Sequence, residues 1–167
     1  MDAFLVWLEA TAFSTWIRES PSMFAFPAIL CCHTVGMGLA AGINGAIALR
    51  ILGVGSGVPI VEMKRFLPVM WFGFWLNAAS GVALLIAYPT KALTNPIFYL
   101  KLGLVALALL LLEAISGQIF RADVPLDDSA CGRLRRLAIV SLASWAGVIT
   151  SGRLLAYTYT RLLSRFS

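Results

Sequence analysis

The chain has 167 residues, 60% of them hydrophobic and 13% charged, with 13 Lys and Arg against 8 Asp and Glu for a net charge of +5. Soluble domains carry about 25% charged residues, so this composition excludes an ordinary water-soluble domain and fits a chain whose solvent is mostly lipid. The surplus basic residues stand at the ends of apolar segments, where they meet lipid headgroups, and form no patch suited to nucleic acid.

Residues 2 to 18, DAFLVWLEATAFSTWIR, are apolar but short, and Glu9, Thr11, Ser14 and Thr15 interrupt them. Trp7 and Trp16 suit the headgroup level, so this stretch is expected to be an amphipathic helix lying in the membrane interface. With acids at Asp2 and Glu9 and no basic leader, it does not read as a cleaved signal peptide. Ser20 and Pro21 offer a helix cap and a first helical position, and a first span is expected over about 22–49. Met23 to Leu49 is 27 residues long without Asp, Glu, Lys or Arg. About 20 apolar residues suffice to cross a bilayer. This run holds the chain's one histidine, His33, and the neighbouring Cys31 and Cys32. Gly38 and Gly42 form a GxxxG pair that lets another helix approach closely. His33, Gly36, Met37, Ala40 and Asn44 share one face by helical spacing.

A glycine-rich loop over 50–65 leads to a second span over 66–88, with Gly73, Asn77, Ser80 and Gly81 on one stripe. A short connection makes this span an antiparallel neighbour of the third, over 96–120, which carries Lys101 early and Glu113 past its middle. A polar loop over 121–133, holding Cys131, precedes the fourth span over 134–158, with Arg153 near its far end. The cysteines form no CxxC or CxxCH, which argues against a zinc ribbon or covalently attached haem. The expected fold is all-α: one membrane domain, a four-helix bundle preceded by the interfacial helix. Arg50, Lys64, Arg65, Arg121, Arg133, Arg135 and Arg136 flank one side, against Arg18, Lys91, Arg161 and Arg165 on the other. The positive-inside rule then puts both termini on the non-cytoplasmic side.

Ionisable residues inside a span are candidate functional sites, because burying them in lipid is costly. His33, Lys101 and Arg153 come from three spans and fall in the same half of the membrane, whereas Glu113 falls in the other. The layout suits a b-type haem: His33 as an axial metal ligand, Gly36 and Ala40 leaving room for the flat ring, and Lys101 and Arg153 facing the propionates. No second imidazole exists to complete a bis-histidine site. The competing reading of His33 is a neutral histidine bonded to a carbonyl or hydroxyl of a neighbouring helix. For Lys101 and Arg153 it is snorkelling towards headgroups.

The runs WIRESP, LCCHTVGMGLAAG, ALRILG and NPIFYLK resemble an uncharacterised family of small bacterial four-helix membrane proteins, over roughly residues 7 to 120. More distantly the chain resembles the membrane-type protoporphyrinogen oxidases and the copper-resistance D-type proteins. The shared points are His33 with Gly36 and Gly42, Pro68 with Gly81, and Lys101. That likeness implies the bacterial inner membrane and a haem or porphyrin site around His33 and Lys101. The chain departs from the oxidases where a later histidine of the third span is expected and Leu112-Glu113 stands.

Two functions therefore compete. One is a haem-binding electron-transfer subunit exchanging electrons with a quinone or other redox partner. The other is a structural or assembly subunit, in a homo-oligomer or beside other membrane subunits, without a cofactor. No nucleophile with a base, paired carboxylates or phosphate loop points to an enzyme acting as an isolated chain.

Overall fold

Lipid offers no partners to peptide N–H and C=O groups, so an apolar segment crossing it must satisfy its own backbone, and the helix does so within one segment. In the computed structural model, which describes residues 2–55, 57–120 and 128–163, the described residues form helices and connecting turns without a strand. Four helices are long and apolar enough to cross a membrane, the architecture of a multi-pass membrane protein.

The N-terminal stretch is two short helices, α1 (Asp2–Glu9) and α2 (Ala12–Glu19), where one was expected over 2–18. Thr11 makes the break: its hydroxyl donates to the Leu8 carbonyl and accepts from the Ser14 N–H, capping α2. The first long helix, α3, runs Phe26–Ile51 with Pro27 in its first turn, where a missing N–H costs nothing. The expected start at Pro21 is therefore corrected. The Ser20 N–H closes α2 on the Trp16 carbonyl, and the hydroxyls of Ser20 and Ser22 accept the N–H groups of Ser22 and Phe24 in the turn that follows.

Beyond α3 the chain reverses at Gly53 and Gly55, whose φ values of 97° and 68° suit glycine. A 3₁₀-helix over Ile60–Phe66 then leads into α4 (Leu67–Ala87). The short connection contains α5 (Pro89–Leu93). Asn95 then caps α6 (Pro96–Phe120), its Oδ1 accepting from the Ile97 N–H. The expected loop over 121–133 falls outside the described residues for 121–127. From Asp128 the chain is already helical, and α7 runs Asp128–Leu163.

Helix α3 packs most closely on α4, α6 on α7, and α3 also lies against α7. The closest approach is made by glycines. A Cβ at Gly36 would lie 2.6 Å from the Asn77 backbone N, and one at Gly73 would lie 2.5 Å from the Leu39 Cβ. Two apolar layers fill the interior. Ala40, Ala108, Trp145 and Val148 form the layer nearer the start of α3. Ile47, Met70, Leu112, Ile115 and Leu134 form the other. As residue numbers rise along α3 they rise along α6 and fall along α7, so α3 and α6 begin at the same end of the bundle.

The α1–α2 hairpin docks at that end. The Ser14 hydroxyl and Arg18 Nη1 both donate to the Ala87 carbonyl, and Arg18 Nη2 donates to the Glu9 carbonyl at 2.8 Å. One guanidinium thus serves the last carbonyls of α1 and α4, groups a helix leaves unpaired. Arg18→Ala is expected to free the hairpin without unfolding the bundle. Limited proteolysis should then cut several-fold faster between α1 and α3, and unchanged cleavage would count against this role for Arg18.

Candidate functional site

The polar centre of the bundle is assembled from α3, α4 and α6. His33 stands two turns into α3 and is half-buried. Its Nδ1 lies 3.0 Å from the Asn77 carbonyl and 3.2 Å from Ser80 Oγ. The Ser80 hydroxyl donates to the Leu76 carbonyl at 2.6 Å, so its oxygen is free to accept. The Asn77 side-chain N–H donates to the His33 carbonyl at 2.7 Å. These roles assign the imidazole proton to Nδ1, by the network and not by observation of a hydrogen. The Nε2 lone pair then faces Lys101 Nζ, which donates to it at 3.5 Å. Gly81 makes room for the ring: a Cβ there would lie 3.1 Å from His33 Cε1.

Lys101 is half-buried in the second turn of α6. Its chain passes Gly152 of α7, where an added Cβ would sit 3.9 Å from both Cε and Nζ. Among the described residues Lys101 forms no ion pair, whereas Arg65 and Glu62 pair beside the start of α4. No described carboxylate therefore lies within 4 Å of Lys101. A lysine ammonium inside a membrane bundle, held by an imidazole and by no carboxylate, is an incomplete charge balance.

The structure brings together two of the three ionisable residues expected at one depth, His33 and Lys101. Arg153 is exposed on α7, next to Gly152, and lies outside the His33–Lys101 pair. Gly36 and Ala40 are not beside an open space. Gly36 is filled by the α4 backbone at Gly73 and Asn77, and Ala40 is buried against Ala108, Trp145 and Val148. Their smallness serves helix packing. Asn77 and Ser80 belong to the site although nothing in the sequence assigns them a role there. Their signal was present: they share a polar stripe with Gly73 and Gly81, and a polar stripe in a span marks the side facing the bundle.

The expected haem can be tested against this packing. A ring on the Gly36–Ala40 face does not fit, because backbone and apolar side chains occupy that face. Nδ1 anchored on a backbone carbonyl is the arrangement a metal-bound histidine adopts, yet here the remaining lone pair on Nε2 is met by a lysine Nζ. Among the described residues no three His, Cys, Asp or Glu side chains converge. What the pair supplies chemically is a cationic hydrogen-bond donor in a low-dielectric setting, oriented by a fixed imidazole. Comparison with protein-family models, with characterised proteins and with solved structures finds no match for this chain.

Proposed function

We propose that this chain is a subunit of the bacterial inner membrane that binds the anionic head of an amphiphile, a carboxylate or phosphate on an apolar body, at Lys101. In this reading both termini lie on the non-cytoplasmic side, and the α1–α2 hairpin rests in the interface. The exposed Phe4, Trp7, Phe13 and Trp16, stacked in pairs, support that placement. The observation that carries the proposal is Lys101, held 3.5 Å from His33 Nε2 with no described carboxylate within 4 Å. An incoming anion would complete the charge balance, and the apolar surroundings would take the rest of the ligand. The distant resemblance favours a porphyrin, whose propionates are such heads.

Native mass spectrometry of gently extracted protein tests this. The expected result is a small anionic species that is lost in Lys101→Met and retained in Lys101→Arg. A species retained in Lys101→Met, or none in the wild type, would overturn the proposal. A reduced-minus-oxidised spectrum on the same preparation separates it from electron transfer. A b-type band lost in His33→Ala would make His33 an iron ligand and replace this reading with the redox one.

A second reading, assembly, has its own support. Gly38 and Gly42 face outward from α3, and an added Cβ at either would meet nothing within 4 Å. A helix of a second copy or of another subunit would find a smooth face there. Gly42→Leu is expected to shift the mass in size-exclusion chromatography with light scattering to a smaller species at unchanged helicity. An unchanged mass would remove this reading.

A further inference from the structure

Between the two apolar layers lies a polar one. Asn44 is 2% exposed, Ser141 1% and Trp145 4%. Asn44 Nδ2, Ser141 Oγ and Trp145 Nε1 are all buried without a hydrogen-bond partner among the described residues. They occupy one region. Asn44 is one helical turn beyond Ala40, Ser141 is one turn before Trp145, and Trp145 packs in the same layer as Ala40. The next pair along α3 and α7 also meets, since a Cβ at Gly45 would lie 3.8 Å from Leu142 Cδ2. On α7 itself, Ser144, Thr150 and Ser151 turn their hydroxyls onto carbonyls of their own helix. Ser141 does not.

A buried donor without an acceptor costs about 1–3 kcal/mol, and three in one layer would be a heavy load for one bundle. Two are pure N–H donors and the third is a hydroxyl that can also accept. We infer that Asn44, Ser141 and Trp145 form a binding site for a single buried water in the middle of the membrane. The water accepts from Asn44 Nδ2 and Trp145 Nε1 and donates to Ser141 Oγ. That makes three hydrogen bonds, the usual number for a buried water. The site ties α3 to α7 at one register between two layers that would otherwise slide on apolar contacts alone. It is separate from the Lys101 site and does not depend on it.

Two measurements test this on the full chain in detergent. Ser141→Ala removes one arm of the bridge. A fall of about 2–4 °C in Tm is expected, corresponding to one net bond lost in a chain of this size. A Tm that stays level or rises would mean that the mutation had only deleted an unsatisfied hydroxyl, and would overturn the site. The second measurement needs no core mutation in the sample that is read. In ¹⁵N-labelled wild type, the indole resonance absent from Trp145→Phe is expected to show a cross-peak to water. Its absence would overturn the site. Exchanging chloride for gluconate is expected to leave that resonance in place. A shift would identify a halide as the occupant and overturn the water.

Discussion

Gly36→Ala is expected to be, with Gly73→Ala, one of the two most damaging glycine-to-alanine changes among the described residues. The new Cβ would stand 2.6 Å from the Asn77 N, 2.7 Å from the Gly73 carbonyl oxygen and 3.0 Å from the Asn77 Cα. All three are backbone atoms, so no side chain can turn aside and α4 itself must move. Overpacking of this kind costs about 1–3 kcal/mol. The damage reaches the polar centre, because the backbone displaced is that of Asn77, whose carbonyl and side chain hold His33. A lower Tm together with reduced ligand retention in native mass spectrometry is the expected result. Gly38→Ala is the control, since its Cβ would meet nothing, and alanine is the better helix former by about 1 kcal/mol. If the two variants melt alike, close packing of α3 on α4 is not what Gly36 provides.

The second large effect is a split between stability and binding at the polar centre. His33→Leu keeps volume but leaves Lys101 without the imidazole that accepts from it. It also leaves Ser80 Oγ without the ring N–H. A buried charged donor deprived of its acceptor costs about 1–3 kcal/mol or more, so a clear loss of Tm is expected. Lys101→Met removes the charge and keeps an unbranched apolar chain beside Gly152. Replacing a buried charged group by a well-packed apolar one is often neutral or stabilising. Lys101→Met is therefore expected to melt at or above the wild-type temperature while losing the anionic ligand. If Lys101→Met were the less stable of the two, Lys101 would be a structural anchor, and the proposal for an anion site would lose its basis. The double variant should recover most of the stability lost in His33→Leu, because the lysine that suffers is gone.

Depth in the membrane can be counted along the sequence. His33 and Lys101 stand at similar distances from the starts of parallel spans, and they meet. Rotation about a helix axis cannot be counted in this way. Gly36 and Ala40 share a face with His33, but that face is broad enough to pack on α4 at one residue and on α6 and α7 at another. Arg153 matches the depth of the pair and is exposed on α7 outside it. The alternative reading of His33, a neutral ring on a neighbouring helix's carbonyl and hydroxyl, matches the contacts to Asn77 and Ser80.

Some features needed nothing beyond the order of the residues. Long runs without charge must be helices that cross lipid, because only a helix satisfies the backbone of a single segment there. Proline placed near the start of α3, α4 and α6 follows from the same accounting. The break at Thr11, the tight seat of Gly36 on α4, and the packing of Ala40 against Trp145 were decided only when the helices packed. In lipid an apolar face has no preference between a neighbouring helix and an acyl chain. The pattern of apolar residues therefore carries little information about rotation. Small residues and hydrogen bonds choose it, and those become visible only once two helices are set side by side.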